Sequence, residues 1–220
     1  DHEAAKATLR HALRMSLLVA IPSSVPLVLL AKPTIAVFFG RGEFGDYHVT
    51  QTARSLAWMA ASTWAIAAIH PIIRMYYAYN DTRTPVWCSA LNLVAFTATS
   101  LLLMPRYGHV GIAMGTSAGA VAQLVGLCVR LPSRVGPLGA REVWASALRA
   151  SVASLVMGFV VYDVSRLGSF VRAGSPVRDL VVYGFAVVFG AAVYLAAASI
   201  LRSSEVQDLI ATLRRKRART

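Results

Sequence analysis

Six apolar runs dominate this sequence, and each is long enough to cross a bilayer core as a helix, which takes about 20 mostly apolar residues. They lie at Met15 to Phe39, Val49 to Tyr79, Thr84 to Met104 and Val110 to Leu131, then within Val143 to Val164 and within Val177 to Leu201. In lipid a backbone must satisfy its own polar groups, so only helices and closed barrels span, and these runs are too long for barrel strands. The fold class predicted is therefore all-α, a polytopic transmembrane helix bundle of about six spans. Composition agrees, since 56% of residues are hydrophobic and only 15% charged, unlike a soluble domain of ordinary make-up.

Local signals refine the spans. Pro22, Pro26 and the Lys32-Pro33 pair interrupt the first run and Pro71 the second, and prolines inside helices predict bends in both. Thr84 followed by Pro85 reads as an N-cap with proline at the first helical position. The fourth run is rich in small residues, Gly111, Ala113, Gly115, Ser117, Ala118, Gly119 and Ala120, which let a neighbouring helix approach closely. Cys88 and Cys128 lie inside apolar runs without metal-ligand spacing, so they read as packing residues rather than a disulfide or a zinc site. No metal or cofactor is implied.

The net charge of +12 is distributed between and after the apolar runs rather than along one stripe, which speaks against nucleic acid as a partner. Read instead as topology signals, the basic residues divide unevenly. Lys6, Arg10, Arg14, Arg74, Arg83, Arg130, Arg134, Arg141, Arg149, Arg202, Arg214, Arg215, Lys216, Arg217 and Arg219 fall on one side, 15 of the 22. The other side receives Lys32, Arg41, Arg54, Arg106, Arg166, Arg172 and Arg178. An even number of spans puts both ends on one side, and the basic excess makes that side cytoplasmic. After the last span, Val206, Leu209, Ile210 and Leu213 recur with helical spacing, and Ser204 and Gln207 stand at capping-box spacing. With Arg214, Arg215, Lys216 and Arg217, residues 202–220 read as a basic amphipathic tail at the surface of anionic lipid.

Polar groups inside a span are costly and by default face a bundle interior or a wet cavity. His70 and Arg74 in the second run are candidates for lining a pathway; a kink histidine and an arginine snorkelling to the headgroups are the alternatives. Asp81, in the turn Asn80-Asp81-Thr82-Arg83-Thr84-Pro85, is a candidate gate or cation ligand, or the cap of the helix that follows. Asn92 is a pathway candidate and Thr97 a cation-site candidate, although five residues place them about 140° apart on a helix. Asn92 and Gln123 also suit interhelical hydrogen bonding. No nucleophile set, phosphate loop or HExxH motif points to an enzyme.

Three blocks in order along the chain resemble the MurJ/MviN lipid II flippases of the multidrug/oligosaccharidyl-lipid/polysaccharide exporter superfamily. The first joins the apolar Leu17 to Pro33 segment to Phe38-Phe39-Gly40-Arg41-Gly42-Glu43-Phe44, with Thr52 and Leu56 beyond; the strongest is Tyr77-Ala78-Tyr79-Asn80-Asp81-Thr82-Arg83-Thr84-Pro85; the last is Gly108-His109-Val110-Gly111-Ile112-Ala113. Members have fourteen spans, and the chain is similar to spans nine to fourteen, the C-terminal portion. The resemblance implies residues 1–131 as the later part of a transport lobe and 132–201 as two additional spans. It further implies alternating-access export of lipid II, an undecaprenyl-pyrophosphate-linked peptidoglycan precursor, across the bacterial inner membrane. The last two spans, Val143 to Leu201, would border a groove for the lipid tail. The family's cavity arginines belong mainly to an N-terminal lobe, which the resemblance implies would lie outside this chain and would be its partner together with membrane lipids. Export of another polyprenyl-linked glycan or of a drug, and a membrane scaffold for cell-wall enzymes, are the alternatives.

Overall fold

The computed structural model describes residues 2–40, 42–136, 139–166 and 176–200, and all elements among them are helices. In chain order these are α1 (His2–Leu29), α2 (Ala31–Phe39), α3 (Asp46–Ala61), α4 (Thr63–Ala78), α5 (Arg83–Tyr107), α6 (His109–Val135), α7 (Ala140–Ser165) and α8 (Pro176–Ile200). Six stretches of the described residues are long and apolar enough to cross a membrane: Glu3–Leu29, Asp46–Ala78, Arg83–Tyr107, His109–Ser133, Arg141–Ser165 and Arg178–Ile200. The all-α six-span bundle is thus observed. Its first helix begins earlier than the apolar run alone implied, because Leu9 and Leu13 bury one side of an otherwise polar first stretch. The basic tail, residues 202–220, lies outside the described residues.

Both bent spans are interrupted, but not where every proline stands. Pro22 and Pro26 lie within an unbroken α1; the interruption falls at Leu30, between Leu29 and Ala31. Leu29 is four residues before Pro33, the position whose carbonyl a proline ring displaces and whose amide partner it removes. The chain restarts through Thr34, whose amide donates to Leu30 O at 2.7 Å. In the second run the expected bend at Pro71 is not a break, since α4 passes through it. The break is at Ser62, whose hydroxyl and amide both donate to Met59 O, at 2.9 and 3.3 Å. A serine hydroxyl that takes a helical carbonyl competes with the ladder and bends or ends the helix.

Helix α1 is the spine. Leu9, Leu13 and Leu17 pack with Ile69, Ile72 and Tyr76 of α4 and with Leu127 and Leu131 of α6. Leu18 and the junction residue Leu30 pack instead with Ala153, Met157 and Val161 of α7 and with Ala186, Tyr194 and Ala198 of α8. Tyr76, fully buried, donates its hydroxyl to Leu127 O at 2.8 Å and so ties α4 to α6. Ala31 and Ile35 of α2 meet Val49 and Ala53 of α3.

Helices α5 and α6 approach each other closely. An added Cβ at Gly111 would lie 2.7 Å from Leu103 C and Met104 N, and one at Gly119 would lie 2.6 Å from Asn92 Oδ1. Only hydrogen fits there, so the small residues of the fourth run form a contact surface, as close helix packing in membranes requires. Cys88 is buried beneath α6, but Cys128 is exposed on α6, which corrects its reading as a packing residue. Position 128 falls on the outer face of the helix, next to buried Leu127.

Candidate functional site

His70 and Arg74 stand one turn apart on α4, in a stripe with Ile66 and Tyr77, and all four are exposed. The opposite face of the helix carries Ile69, Ile72, Met75 and Tyr76 into the core. A helix buries one face at this spacing, so α4 keeps its two cationic or hydrogen-bonding side chains on a side that no other described helix covers. Such a pair offers donors to an anion.

Asp81 is held by a tightly bonded turn. Helix α4 ends with Asn80 in the left-handed region, at φ 56°. The amide of Asn80 donates to Tyr77 O at 3.0 Å and that of Asp81 to Tyr76 O at 2.9 Å. This pairing closes a helix C-terminus, with asparagine tolerating the positive φ. The carboxylate of Asp81 then starts the next helix, accepting the Thr84 amide at 3.0 Å and the Thr84 hydroxyl at 2.8 Å. Thr84 is therefore inside α5 rather than its cap, and Asp81 supplies the capping oxygen. One residue joins the end of α4 to the start of α5.

Asn92 faces α6. Its Nδ2 donates to Gln123 Oε1 at 2.7 Å, and Gln123 Nε2 donates to Ser89 Oγ at 3.2 Å. Gln123 is buried, so this three-residue chain satisfies a buried amide between two spans. Thr97 is exposed on α5, about 21 Å along the axis from the helix start at 1.5 Å per residue. Asp81 and Thr97 therefore do not come together, and no cluster of three or more His, Cys, Asp or Glu able to hold a metal occurs among the described residues.

An apolar groove of about 480 Å³ opens between α1, α7 and α8, lined by Leu18, Pro22, Pro26, Met157, Val161 and Tyr194 among others. Pro22 has no amide for the carbonyl of Leu18 four residues back, and the buried hydroxyl of Tyr194 donates to that oxygen at 2.9 Å. Further along α8, Tyr183 lies 3.2 Å from the Thr34 hydroxyl and stands edge-on to Phe38 of α2, centroids 5.9 Å apart. Two tyrosines of α8 thus grip the segments on either side of the α1–α2 break. The resemblance implies only that the last two spans border such a groove; the wall from α1, with Leu18, Pro22 and Pro26, is added by the structure. The signal was present in Pro22, whose freed carbonyl needs a donor from a facing helix.

The family model described as lipid II flippase MurJ matches residues 1–177. A probable lipid II flippase MurJ from Vibrio cholerae is 29% identical over 178 residues, 80% of this chain and 34% of that protein. One from Rhizobium tropici is 30% identical over 208 residues, 91% of this chain and 38% of that protein. A solved structure titled lipid II flippase MurJ, inward closed conformation, superposes with a TM-score of 0.75 at 25% identity, covering 96% of this chain and 41% of that one. The chain spans about a third of the length of the curated relatives it matches.

Proposed function

This chain belongs to the lipid II flippase MurJ family, and we propose that it forms the later spans of a lipid II transporter, a non-enzymatic protein of the bacterial inner membrane. The observation that carries this reading is the family match over residues 1–177 together with the apolar groove between α1, α7 and α8. The groove has the surface a polyprenyl tail needs, almost wholly apolar and within the volume range of ligand sites. His70 and Arg74, exposed on α4, supply donors on a wall that the anionic headgroup would pass as the protein alternates between inward and outward states. Residues 1–131 then belong to the transport lobe, and 132–201 to the added helices of the groove. An N-terminal lobe would complete the path.

The excess of basic residues at the ends of α1, α4 and α6, and in the sequence that follows α8, favours an orientation with both termini of the chain in the cytoplasm. Lys6 and Arg10 support it, since they lie beside Gly136 and Gly139 of the α6–α7 turn and so gather positive charge at one end of the bundle. The test is complementation of a flippase-depleted strain by the full-length polypeptide, with lipid II translocation measured in parallel. Arg74→Ala and Asp81→Ala should each impair growth. Normal growth and normal translocation with both replacements would remove these residues from the mechanism, and absence of lipid II movement by the unaltered protein would sink the reading itself.

A further inference from the structure

At the end of the bundle opposite the N-terminus of α1, a second cleft of about 590 Å³ lies between α3 and the turn joining α5 to α6. Its α3 wall is the stripe Tyr47, Gln51, Arg54 and Trp58, residues spaced four, three and four apart and therefore on one helix face. The other wall is Arg106, Tyr107 and His109 around Gly108, whose φ of 59° turns the chain back into α6. Ser117 of α6 donates to Trp58 O at 2.6 Å, which fixes α3 against α6 beside the cleft. No carboxylate lines this space.

The chemistry of the lining is specific. Arg54 and Arg106 come from opposite walls with a histidine nearby, so positive charge converges on a concavity that has no acidic side chain to neutralise it. Aromatic rings at a membrane surface commonly act as anchors, but anchoring does not call for two arginines on facing walls. Guanidinium groups match phosphate oxygens in geometry and charge. Tyr47, Trp58 and Tyr107 provide flat apolar faces, and Gln51 an amide, the complement of a sugar ring with its apolar C–H surface and hydroxyls. The volume lies within the range of about 300 to 1,000 Å³ typical of ligand pockets.

We propose that this cleft is a binding site for a phosphorylated sugar. Resting on the transport reading above, it would receive the anionic glycan headgroup on the exit side of the membrane.

The experiment uses the full-length polypeptide that contains this chain, in nanodiscs, with N-acetylglucosamine 1-phosphate, inorganic phosphate and N-acetylglucosamine as probes. Trp58 is itself the reporter, and Trp58→Phe identifies its share of the fluorescence. The sugar phosphate should give a saturable, Trp58-dependent change at a concentration lower by about tenfold or more than either phosphate or the neutral sugar. Arg54→Gln with Arg106→Gln should weaken that response by about tenfold or more, whereas Arg54→Lys with Arg106→Lys should retain part of it and report that the fold is intact. Equal responses to phosphate and sugar phosphate, a response independent of Trp58, or an unchanged glutamine double variant would each overturn the proposal. Lipid II translocation by the same preparations separates the two readings. Saturable Trp58-dependent binding without translocation leaves the site standing and removes the transport role; translocation without binding does the reverse.

Discussion

Replacing Gly111 by alanine should separate α5 from α6 and destabilise the bundle. The three nearest neighbours of a Cβ at this position are backbone atoms, Leu103 C and Met104 N at 2.7 Å and Leu103 O at 2.9 Å. Ordinary van der Waals contact begins near 3.4 Å, so the two helices must move apart by about 0.7 Å at this point. No side chain can rotate away to relieve it. Overpacking of this kind costs about 1 to 3 kcal/mol, and alanine's better helix propensity returns at most about 1 kcal/mol. The steric loss should win, leaving a net destabilisation of up to about 2 kcal/mol. Two other glycines calibrate the result. At Gly126 the nearest atoms are ends of side chains, Leu91 Cδ2 at 3.2 Å and Cys88 Sγ at 3.3 Å, and at Gly184 nothing lies within 4 Å. Alanine should therefore be tolerated at 126 and should stabilise α8 at 184 by about 0.5 to 1 kcal/mol. Reversible unfolding of the full-length protein in mixed micelles, by titration with a denaturing detergent, measures all three. If Gly111→Ala proves as stable as the unsubstituted protein while Gly184→Ala is stabilised, the claim that hydrogen alone fits between α5 and α6 is refuted.

Tyr194→Phe should cost about 0.6 to 2 kcal/mol by removing the donor to the Leu18 carbonyl, and the loss should shrink in a Pro22→Ala background, where a backbone amide returns; equal losses in both backgrounds would separate the tyrosine from the proline. Asp81→Ala should cost about 1 kcal/mol as a lost helix cap. Asp81→Ser should recover most of that stability, and a stable but non-complementing serine variant would show that the charge, not the cap, is what function requires. Asn92→Leu should destabilise by about 1 to 3 kcal/mol because the buried Gln123 Oε1 is left without its donor. The Asn92→Leu, Gln123→Leu pair should cost less than the sum of the singles, and strict additivity in a double-mutant cycle would argue against their hydrogen bond.

The six spans were legible in the sequence because the cost of an unsatisfied backbone in lipid leaves few ways to use a long apolar run, and run length reports it directly. The small residues of the fourth run likewise announced a close helix contact, and the three motif blocks pointed to the MurJ family that the comparisons support. Which residue breaks a span was not legible. Four prolines look alike in sequence, yet only Pro33 coincides with an interruption, while Ser62 ends a helix through a hydroxyl that could equally have pointed elsewhere. The candidate site shows the same division. Asn92 and Gln123 were recognisable as groups that need partners in a membrane, but that they are each other's partner depends on the rotation of α5 against α6. The grip of Tyr194 on the Leu18 carbonyl joins residues 176 positions apart. Sequence alone could determine what each segment must do about its polar groups, since that follows from the local chain and its solvent. Which distant group answers the need was decided only when the helices packed, because the contact depends on the crossing of two surfaces that no local pattern encodes.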